Sequence, residues 1–391
     1  MAQEIKVPFF KASIGEEEEN AVLQVMRSGW LTTGKQSLAF EKEFAEKIQV
    51  PYALAVNSNT SGMILAMEAC GVREGKAVIT TPYTFVSTAT SARHLGADVY
   101  FADVEKNNYS IDPESIEKIL ESPRGKNVAA IVPVHIAGNV CNMEAIMDIA
   151  KKYNVRVIED CAHSFPSKTK MGYAGAIGDA GVFSFYVTKT MTTGEGGMVT
   201  TKDENLARRM TMMRMHGMDR TTWDRYTSPR ASWIYDIVAP GFKFNLPDML
   251  AALGRVQLKK ADLFDSQRKV HVEKYNKAFS KMDFVKLPPT GDGNAWHLYL
   301  MRLDLTRLTC DRDTFAKRLQ ELGIGISMHF IPLFHFTYWK ELYPDFTAEA
   351  FPNAEKQYSE TISIPLWPDM TDEMTDYVIN CVETLGREYH A

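Results

Sequence analysis

The chain has 391 residues, with a hydrophobic fraction of 45% and a charged fraction of 24%, as in folded globular proteins and unlike disordered ones. Its net charge of -5 lacks the basic excess that nucleic-acid-binding proteins carry, so no nucleic-acid partner is expected. No apolar run approaches the roughly 18 residues of a membrane span, and the N-terminus lacks a secretory signal. The five cysteines are widely spaced without a CxxC pair, which predicts reduced thiols and a cytoplasmic location.

The first half of the chain alternates strand-like and helix-like segments. Strands are predicted over residues 52–56, 77–80, 98–101, 127–134, 155–158, 182–185 and 197–200, and helices over 60–70, 85–95 and 143–153. This alternation predicts an α/β fold with a mostly parallel sheet covered by helices. Because ligands bind beyond the carboxyl ends of such strands, polar residues just after them are the first candidates for a site.

The pattern changes after about residue 245. The predicted elements are a helix over 247–263, a strand over 296–303, a helix over 313–322, a strand over 324–329 and a helix over 371–388. We therefore predict a large domain over residues 1–250 and a smaller α+β domain over 251–391, with the helix at 247–263 linking them.

Two nucleotide-binding patterns are incomplete. Residues 29–35 resemble a P-loop, but Gln36 replaces the required Ser or Thr, and the segment follows an acidic helical stretch instead of a strand. Residues 194–197 contain three glycines but do not extend to GxGxxG, which disfavours a dinucleotide oxidoreductase.

Metal ligands are similarly incomplete, because two pairs of residues lack the partners that would complete a zinc set. These pairs are Cys161 with His163 and His329 with His335. Core or hydrogen-bonding roles are the simpler interpretation, and no metal is expected.

A stronger pattern lies between residues 158 and 197. Asp160 ends one apolar strand, and Lys189 follows another and precedes a glycine-rich segment. Taken singly, such residues are usually a solvated strand end and a surface lysine. Together they match the needs of pyridoxal 5'-phosphate (PLP), which requires a lysine for its Schiff base and an acid beside its pyridine nitrogen. Lys189 would also be placed to act as a general base.

The phosphate of PLP would need a binding turn of its own. Residues 56–63 join a strand to a helix and include Thr60 and Ser61, whose hydroxyls and backbone N–H groups suit a phosphate. An ordinary N-cap is the alternative interpretation. Ser184 could add a hydroxyl, and Phe85 could stack on the cofactor ring or belong to the core.

The chain resembles the DegT/DnrJ/StrS family of PLP-dependent sugar aminotransferases over essentially its whole length. The resemblance rests on motifs that occur in a specific order at residues 28–34, 40–41, 57–63, 83–88, 157–163, 183–197 and 241–245 and at His329. It implies a fold-type-I aminotransferase, with a large mostly parallel domain and a smaller C-terminal one. It also implies a homodimer with shared active sites.

The resemblance assigns roles to individual residues. Lys189 would form the Schiff base, Asp160 would pair with the pyridine nitrogen, Thr60, Ser61 and Ser184 would hold the phosphate, Phe85 would stack on the ring, and His163 would lie near the ring hydroxyl. Asn245 would reach the phosphate of the partner subunit's cofactor, and Trp30, Thr33, Tyr186 and His329 would lie near the sugar.

The implied activity moves an amino group from an amino acid, expected to be glutamate, to a keto group of a nucleotide-linked keto-deoxy sugar. Lys189 favours transamination, since family members that dehydrate have histidine there. Position C4 is expected, C3 is the alternative, and a PLP-binding regulatory protein without turnover is the rival from another class. The product would serve amino-sugar, polysaccharide or lipopolysaccharide biosynthesis.

Two positions depart from the common family pattern and leave the substrate contacts open. Ser58-Asn59-Thr60 replaces Ser-Gly-Thr at the phosphate turn, and Tyr186 stands where several members have histidine. Residues 220–233 are a further candidate for nucleotide diphosphate contacts, or an exposed loop.

Overall fold

A computed structural model of the chain describes residues 6–219, 235–291 and 293–391. The candidate nucleotide-binding segment 220–233 lies outside the described residues. No helix of the described part is long and apolar enough to cross a membrane.

Helices and strands alternate along much of the described chain. The helices are α1 Glu16–Ser28, α2 Lys35–Ile48, α3 Asn59–Ala69, α4 Ser87–His94, α5 Pro113–Glu121, α6 Met143–Tyr153, α7 Glu204–Met213, α8 Asp248–Phe279, α9 Arg312–Glu321, α10 Thr337–Leu342, α11 Pro352–Glu360 and α12 Asp372–Glu388. The strands are β1 Tyr52–Val56, β2 Ala77–Thr80, β3 Asp98–Phe101, β4 Val128–Ile131, β5 Arg156–Asp160, β6 Lys168–Thr169, β7 Gly172–Tyr173, β8 Ala180–Ser184, β9 Gly197–Thr201, β10 Val285–Lys286, β11 Tyr299–Leu303 and β12 Thr361–Ile364.

The main sheet has the strand order β1-β9-β8-β5-β4-β2-β3. The strands from β8 to β3 pair in parallel, whereas β9 is antiparallel to both β1 and β8. The prediction of a mostly parallel α/β sheet is therefore confirmed. Strands β5 and β8 are neighbours, with Asp160 opposite Val182, so their carboxyl ends lie side by side.

Helices cover both faces of this sheet. Successive strand residues point to opposite faces, so neighbouring residues of one strand pack against different helices. On β8, Val182 packs in the core that includes residues of α3 and α7, whereas Phe183 packs with Phe40 and Phe44 of α2. Helix α3 approaches β8 and β9 very closely at Gly62, where an added Cβ would lie 2.7 Å from the Val182 side chain. The N-terminus of α3 is consequently held beside the ends of these strands.

Helix α8 is much longer than the sequence prediction, which ended at residue 263. It continues to Phe279 because the charged stretch after Leu263 still places buried side chains at helical spacing. These are Phe264, Arg268, His271, Val272, Tyr275 and Phe279. The domain boundary near residue 250 stays a prediction.

The predicted strand at residues 324–329 is wrong. Ile324 forms one isolated bridge with Val7, and Ser327 forms another with Ser363. The segment therefore pairs with two different partners, one residue each, and forms no continuous strand. Gly325 permits the contact with the N-terminal segment, since its added Cβ would lie 2.4 Å from Phe9 N. The C-terminal part contributes the three-stranded antiparallel sheet β10-β11-β12.

Candidate active site

A cavity of about 450 Å³ opens at the carboxyl ends of β5 and β8, a volume suited to a small-molecule site. It brings together eight of the predicted site residues. They are Thr60, Phe85, Asp160, His163, Ser184, Tyr186, Lys189 and His329. Ser61, Trp30, Thr33 and Asn245 are the predicted site residues that do not line it.

Asp160 lies at the floor of the cavity and is 3% exposed. Its Oδ2 accepts a hydrogen bond from Thr88 Oγ1 at 2.7 Å, and its Oδ1 accepts one from the Ala162 N–H at 3.1 Å. Asn59 Nδ2 lies 3.5 Å from the same Oδ1. Burial raises the pKa of the Asp160 carboxyl, and the Thr88 hydroxyl, the Ala162 amide and the charge of Lys189 oppose that rise.

Lys189 belongs to a loop that connects β8 to β9, named here the lysine loop (residues 185–196). The loop is held internally, because the Lys189 N–H donates to Tyr186 O at 2.9 Å and Thr192 Oγ1 donates to Phe185 O at 3.0 Å. Burial lowers the pKa of the Lys189 ammonium to about 8, against the opposing attraction of Asp160. A large fraction of this lysine is therefore unprotonated and nucleophilic at mildly alkaline pH.

The turn before α3 supplies the polar end of the cavity. Ser58 caps the helix by accepting a hydrogen bond from the Ser61 N–H at 3.1 Å, and Ser58, Asn59 and Thr60 line the cavity. The Ser61 hydroxyl instead donates to Asn57 Oδ1 at 2.6 Å. The helix N-terminus, with its unpaired N–H groups and positive dipole end, makes this turn a suitable anion site.

Phe85 is one of the large apolar side chains that remain exposed, at 58%, and it lines the cavity. The sequence prediction began a helix at this residue, but α4 begins at Ser87 and Phe85 precedes it. Its ring lies 6.1 Å from that of Phe330, with the cavity open beside it. An exposed aromatic face in a pocket is a ready surface for a planar ring.

Three imidazoles line the cavity together. The rings of His163 and His297 lie 4.5 Å apart, and His329 Nδ1 lies 2.9 Å from Ser363 Oγ. Burial and the nearby charge of Lys189 lower the pKa of all three, that of His329 to about 3. Because the Ala137 N–H donates to His163 Nδ1 at 3.2 Å, the neutral His163 ring presents its other nitrogen as a donor.

Trp30, Thr33 and Asn245 form a group of their own. Asn245 Nδ2 donates to Thr33 Oγ1 at 2.6 Å, and Trp30 Nε1 donates to Thr33 O at 3.3 Å. Asn245 also bridges Val56, at the end of β1. The three residues assigned by resemblance to a shared or sugar-binding role thus lie together, although they do not line the cavity of their own chain.

Sequence reasoning missed several residues of the cavity. Thr88 and Asn59 contact Asp160, and His297, Phe330 and Phe9 complete the wall. A signal existed for Thr88, since it ends the motif at residues 83–88 on which the family resemblance rests. His297 and Phe9 come from segments distant in sequence, which no local pattern could connect.

One buried group outside the cavity has the composition of a metal site. His135, Glu159 and Cys161 lie together, and they are the only such group among the described residues. Two of its three side chains already have hydrogen-bond partners: the Cys141 N–H donates to His135 Nδ1 at 3.2 Å, and His135 Nε2 lies 3.0 Å from Glu159 Oε2. Glu159 also accepts three backbone N–H bonds, so the group forms a satisfied hydrogen-bond network.

The residues fit PLP, because the acid, the nucleophilic lysine, the exposed aromatic ring and the anion-binding turn all face one cavity. The fold and this site define a PLP-dependent aminotransferase of fold type I. A sequence profile of the DegT/DnrJ/EryC1/StrS aminotransferase family matches residues 12–383, and the chain belongs to this family. It is a PLP-dependent sugar aminotransferase.

Individual relatives agree with this assignment. The chain is 40% identical to the spore coat polysaccharide biosynthesis protein SpsC of Bacillus subtilis, over 97% of both chains. The PLP form of the putative sugar aminotransferase Spr1654 from Streptococcus pneumoniae matches with a TM-score of 0.88 and 27% identity, covering 98% of this chain and 99% of that one. Helicobacter pylori PseC, an aminotransferase of pseudoaminic acid biosynthesis, matches with a TM-score of 0.89 and 28% identity, covering 98% and 99%.

Proposed function

We propose that the protein transfers the amino group of glutamate to the C4 keto group of a nucleotide-linked keto-deoxy sugar. The observation that carries the transamination is the presence of Asp160 and Lys189 in one cavity, with the pKa of Lys189 lowered to about 8 by burial. The C4 position rests on the family resemblance of the motifs at residues 29–34 and 60–63. The likeness to SpsC and PseC supports a product destined for a surface polysaccharide or a related amino sugar.

PLP supplies the aldehyde that receives the amino group and a ring that withdraws electrons from the reacting carbon. Residues of the chain would move the protons and keep the ring protonated. Lys189 would carry the proton between the donor carbon and the receiving carbon, since its amine lies in the cavity and burial lowers its pKa. Asp160 would keep the pyridine nitrogen protonated, and the electron-withdrawing power of the ring depends on that proton.

The histidines and aromatic rings would shape the binding site around this pair. Phe85 would cover one face of the cofactor ring, and Thr60, Ser184 and the N-terminus of α3 would hold its phosphate. Ser61 would support that turn by its hydrogen bond to Asn57. The neutral His163 would donate to the ring oxygen, and Tyr186 and His329 would contact the sugar.

We propose further that two copies of the chain share their active sites. The group of Trp30, Thr33 and Asn245 supports this, because it presents polar and aromatic atoms outside the cavity of its own chain. In a homodimer, Asn245 would reach the phosphate of the partner subunit's cofactor. The cytoplasmic location stays a prediction.

The test is a panel of nucleotide-linked 3-keto and 4-keto sugars, each supplied with glutamate, alanine or aspartate as donor. Turnover is followed by formation of the keto acid, and the position of the new amino group is assigned by NMR. We expect a 4-amino sugar with glutamate as the best donor. A 3-amino product would contradict the C4 assignment and support the C3 alternative. If the protein binds PLP but turns over none of the sugars, the regulatory alternative would be favoured.

A further inference from the structure

Helix α8 contacts the lysine loop at three points, and the two segments run in opposite directions, so later residues of α8 contact earlier residues of the loop. Gly254 packs against Thr193, where an added Cβ would lie 2.8 Å from Thr193 Cγ2. Gln257 Oε1 accepts a hydrogen bond from the Thr192 N–H at 3.3 Å, and Arg268 Nη2 donates to Thr190 O at 2.9 Å. Gln257 and Arg268 lie about three helical turns apart, so they project from the same face of α8.

Arg268 is an unusual residue for this position. It is 4% exposed, and burial lowers the pKa of its guanidinium to about 10. Its Nη1 has no hydrogen-bond partner among the described residues. A buried cation that is incompletely paired lowers stability, so its presence next to the cofactor lysine calls for a role other than stabilising the core.

Gln257 connects the same loop to the N-terminal segment. Its Nε2 donates to Ser13 O at 2.8 Å and to Glu18 Oε1 at 2.9 Å, and Glu18 pairs with Lys260 of α8 at 2.9 Å. Phe9 and Phe10 of that segment line the active-site cavity. The contacts of α8 therefore connect the lysine loop to the N-terminal segment that also contributes Phe9 and Phe10 to the cavity wall.

We infer that Arg268 and Gln257 are positioning residues that hold the lysine loop so that Lys189 Nζ meets the carbonyl carbon of PLP. The bond concerned forms when the Lys189 amine adds to the aldehyde and water leaves. Neither side chain needs to touch the cofactor, because each acts through the backbone on the C-terminal side of Lys189. This inference rests on the proposed role of Lys189.

The test measures the rate at which the apoprotein captures PLP, by stopped-flow absorbance, and the fraction of chains in which borohydride fixes PLP to Lys189, by peptide mass spectrometry. We expect Arg268→Met to slow capture by about 10-fold to 100-fold, the range for an ångström-scale misplacement. Arg268→Lys keeps a donor near Thr190 O and should recover most of the rate. Hydrogen exchange at the amides of residues 190–194 should accelerate in the Met variant.

Arg255→Met is the matched control, since Arg255 lies on the same helix but its guanidinium pairs with Glu43 on α2. It should capture PLP at the parent's rate. If Arg268→Met fails to fold, Gln257→Leu applies the same test through the Thr192 N–H. Capture at the parent's rate in a folded Arg268→Met or Gln257→Leu variant would overturn the inference, as would equal slowing in Arg255→Met.

Measurements on the parent protein distinguish a wrong positioning role from a wrong role of Lys189. If borohydride fixes PLP to Lys189 in the parent and the Arg268 variants behave identically, the positioning inference alone is wrong. If the parent shows no adduct at Lys189, the proposed role of that lysine is wrong.

Discussion

The hydroxyl of Thr88 donates a hydrogen bond to Asp160 Oδ2 at 2.7 Å, from the first turns of α4 to the end of β5. Both residues are buried, at 1% and 3% exposure. The bond favours the ionised carboxylate, against the burial that raises the pKa of Asp160. Thr88 thus orients Asp160, the acid that we propose pairs with the pyridine nitrogen, and favours its charged form.

Thr88→Val should therefore lower kcat by about 10-fold to 100-fold, corresponding to the roughly 1.5–3 kcal/mol of a hydrogen bond to a charged group. Thr90→Val is the control, because Thr90 Oγ1 donates to Val86 O within the same helix and does not contact Asp160. Steady-state kinetics with a saturating donor would measure both. Unchanged kcat in Thr88→Val would show that the bond does not support the carboxylate.

The lowered pKa of Lys189 predicts the pH dependence of PLP capture. An amine reacts only when it is unprotonated. The rate of capture should therefore rise about tenfold per pH unit below pH 8 and level off above it, where most of the lysine has lost its proton. Asp160→Asn removes a neighbouring negative charge that favours the ammonium, so it should move this midpoint to lower pH. A rate that keeps rising beyond pH 10, as for an ordinary lysine, would contradict the burial argument.

Shared active sites predict recovery of activity in mixed dimers. Lys189→Ala should be inactive because it lacks the nucleophile, and Asn245→Ala should be weakened because it lacks the proposed contact with the partner's cofactor. A dimer with one subunit of each kind contains one site with both Lys189 and Asn245. Co-expression with two affinity tags, followed by activity measurement on the tandem-purified mixture, should yield activity well above that of either variant. Activity no higher than that of Asn245→Ala alone would argue against a shared site.

Buried Arg214 and partly buried Glu41 form an ion pair that links the end of α7 to α2 and β1. Arg214 Nη1 also donates to Ala55 O at 2.8 Å, and Glu41 Oε1 accepts the Ala55 N–H at 2.9 Å. Arg214→Leu leaves the partly buried Glu41 without its charge partner, which should lower the free energy of unfolding by about 2–4 kcal/mol, somewhat less than for a fully buried pair. The exposed pair of Lys42 and Glu46 provides the control, since Lys42→Met should change it by about 1 kcal/mol or less. Guanidinium unfolding would measure both, and equal small losses would contradict the expectation.

The sequence predicted those parts of the fold that depend on local patterns. Strands with continuous apolar runs, such as Tyr52–Val56 and Ala77–Thr80, were placed with the observed bounds, because burial on both faces leaves an unmistakable composition. Helix α8 was predicted too short because long charged side chains on its exposed face obscured the buried spacing. The segment 324–329 reads as a strand, but its pairing partners come from opposite ends of the chain.

In the candidate site too, residues with a local sequence pattern were predictable and residues positioned by distant contacts were not. Asp160 and Lys189 were identifiable because Asp160 ends one strand and Lys189 follows another, and neighbouring parallel strands bring such residues to one edge of the sheet. His297 and Arg268 were not identifiable, since an isolated histidine or arginine has no local signature of a site. Their positions depend on how the C-terminal part packs against the lysine loop.

The most direct test of the central claim is to reduce the purified PLP-bound protein with borohydride and map the modified peptide by mass spectrometry. The account predicts a yellow protein, one cofactor adduct per chain and its attachment to Lys189, with no adduct in Lys189→Ala. An adduct on another lysine, or a protein that takes up no PLP, would contradict it.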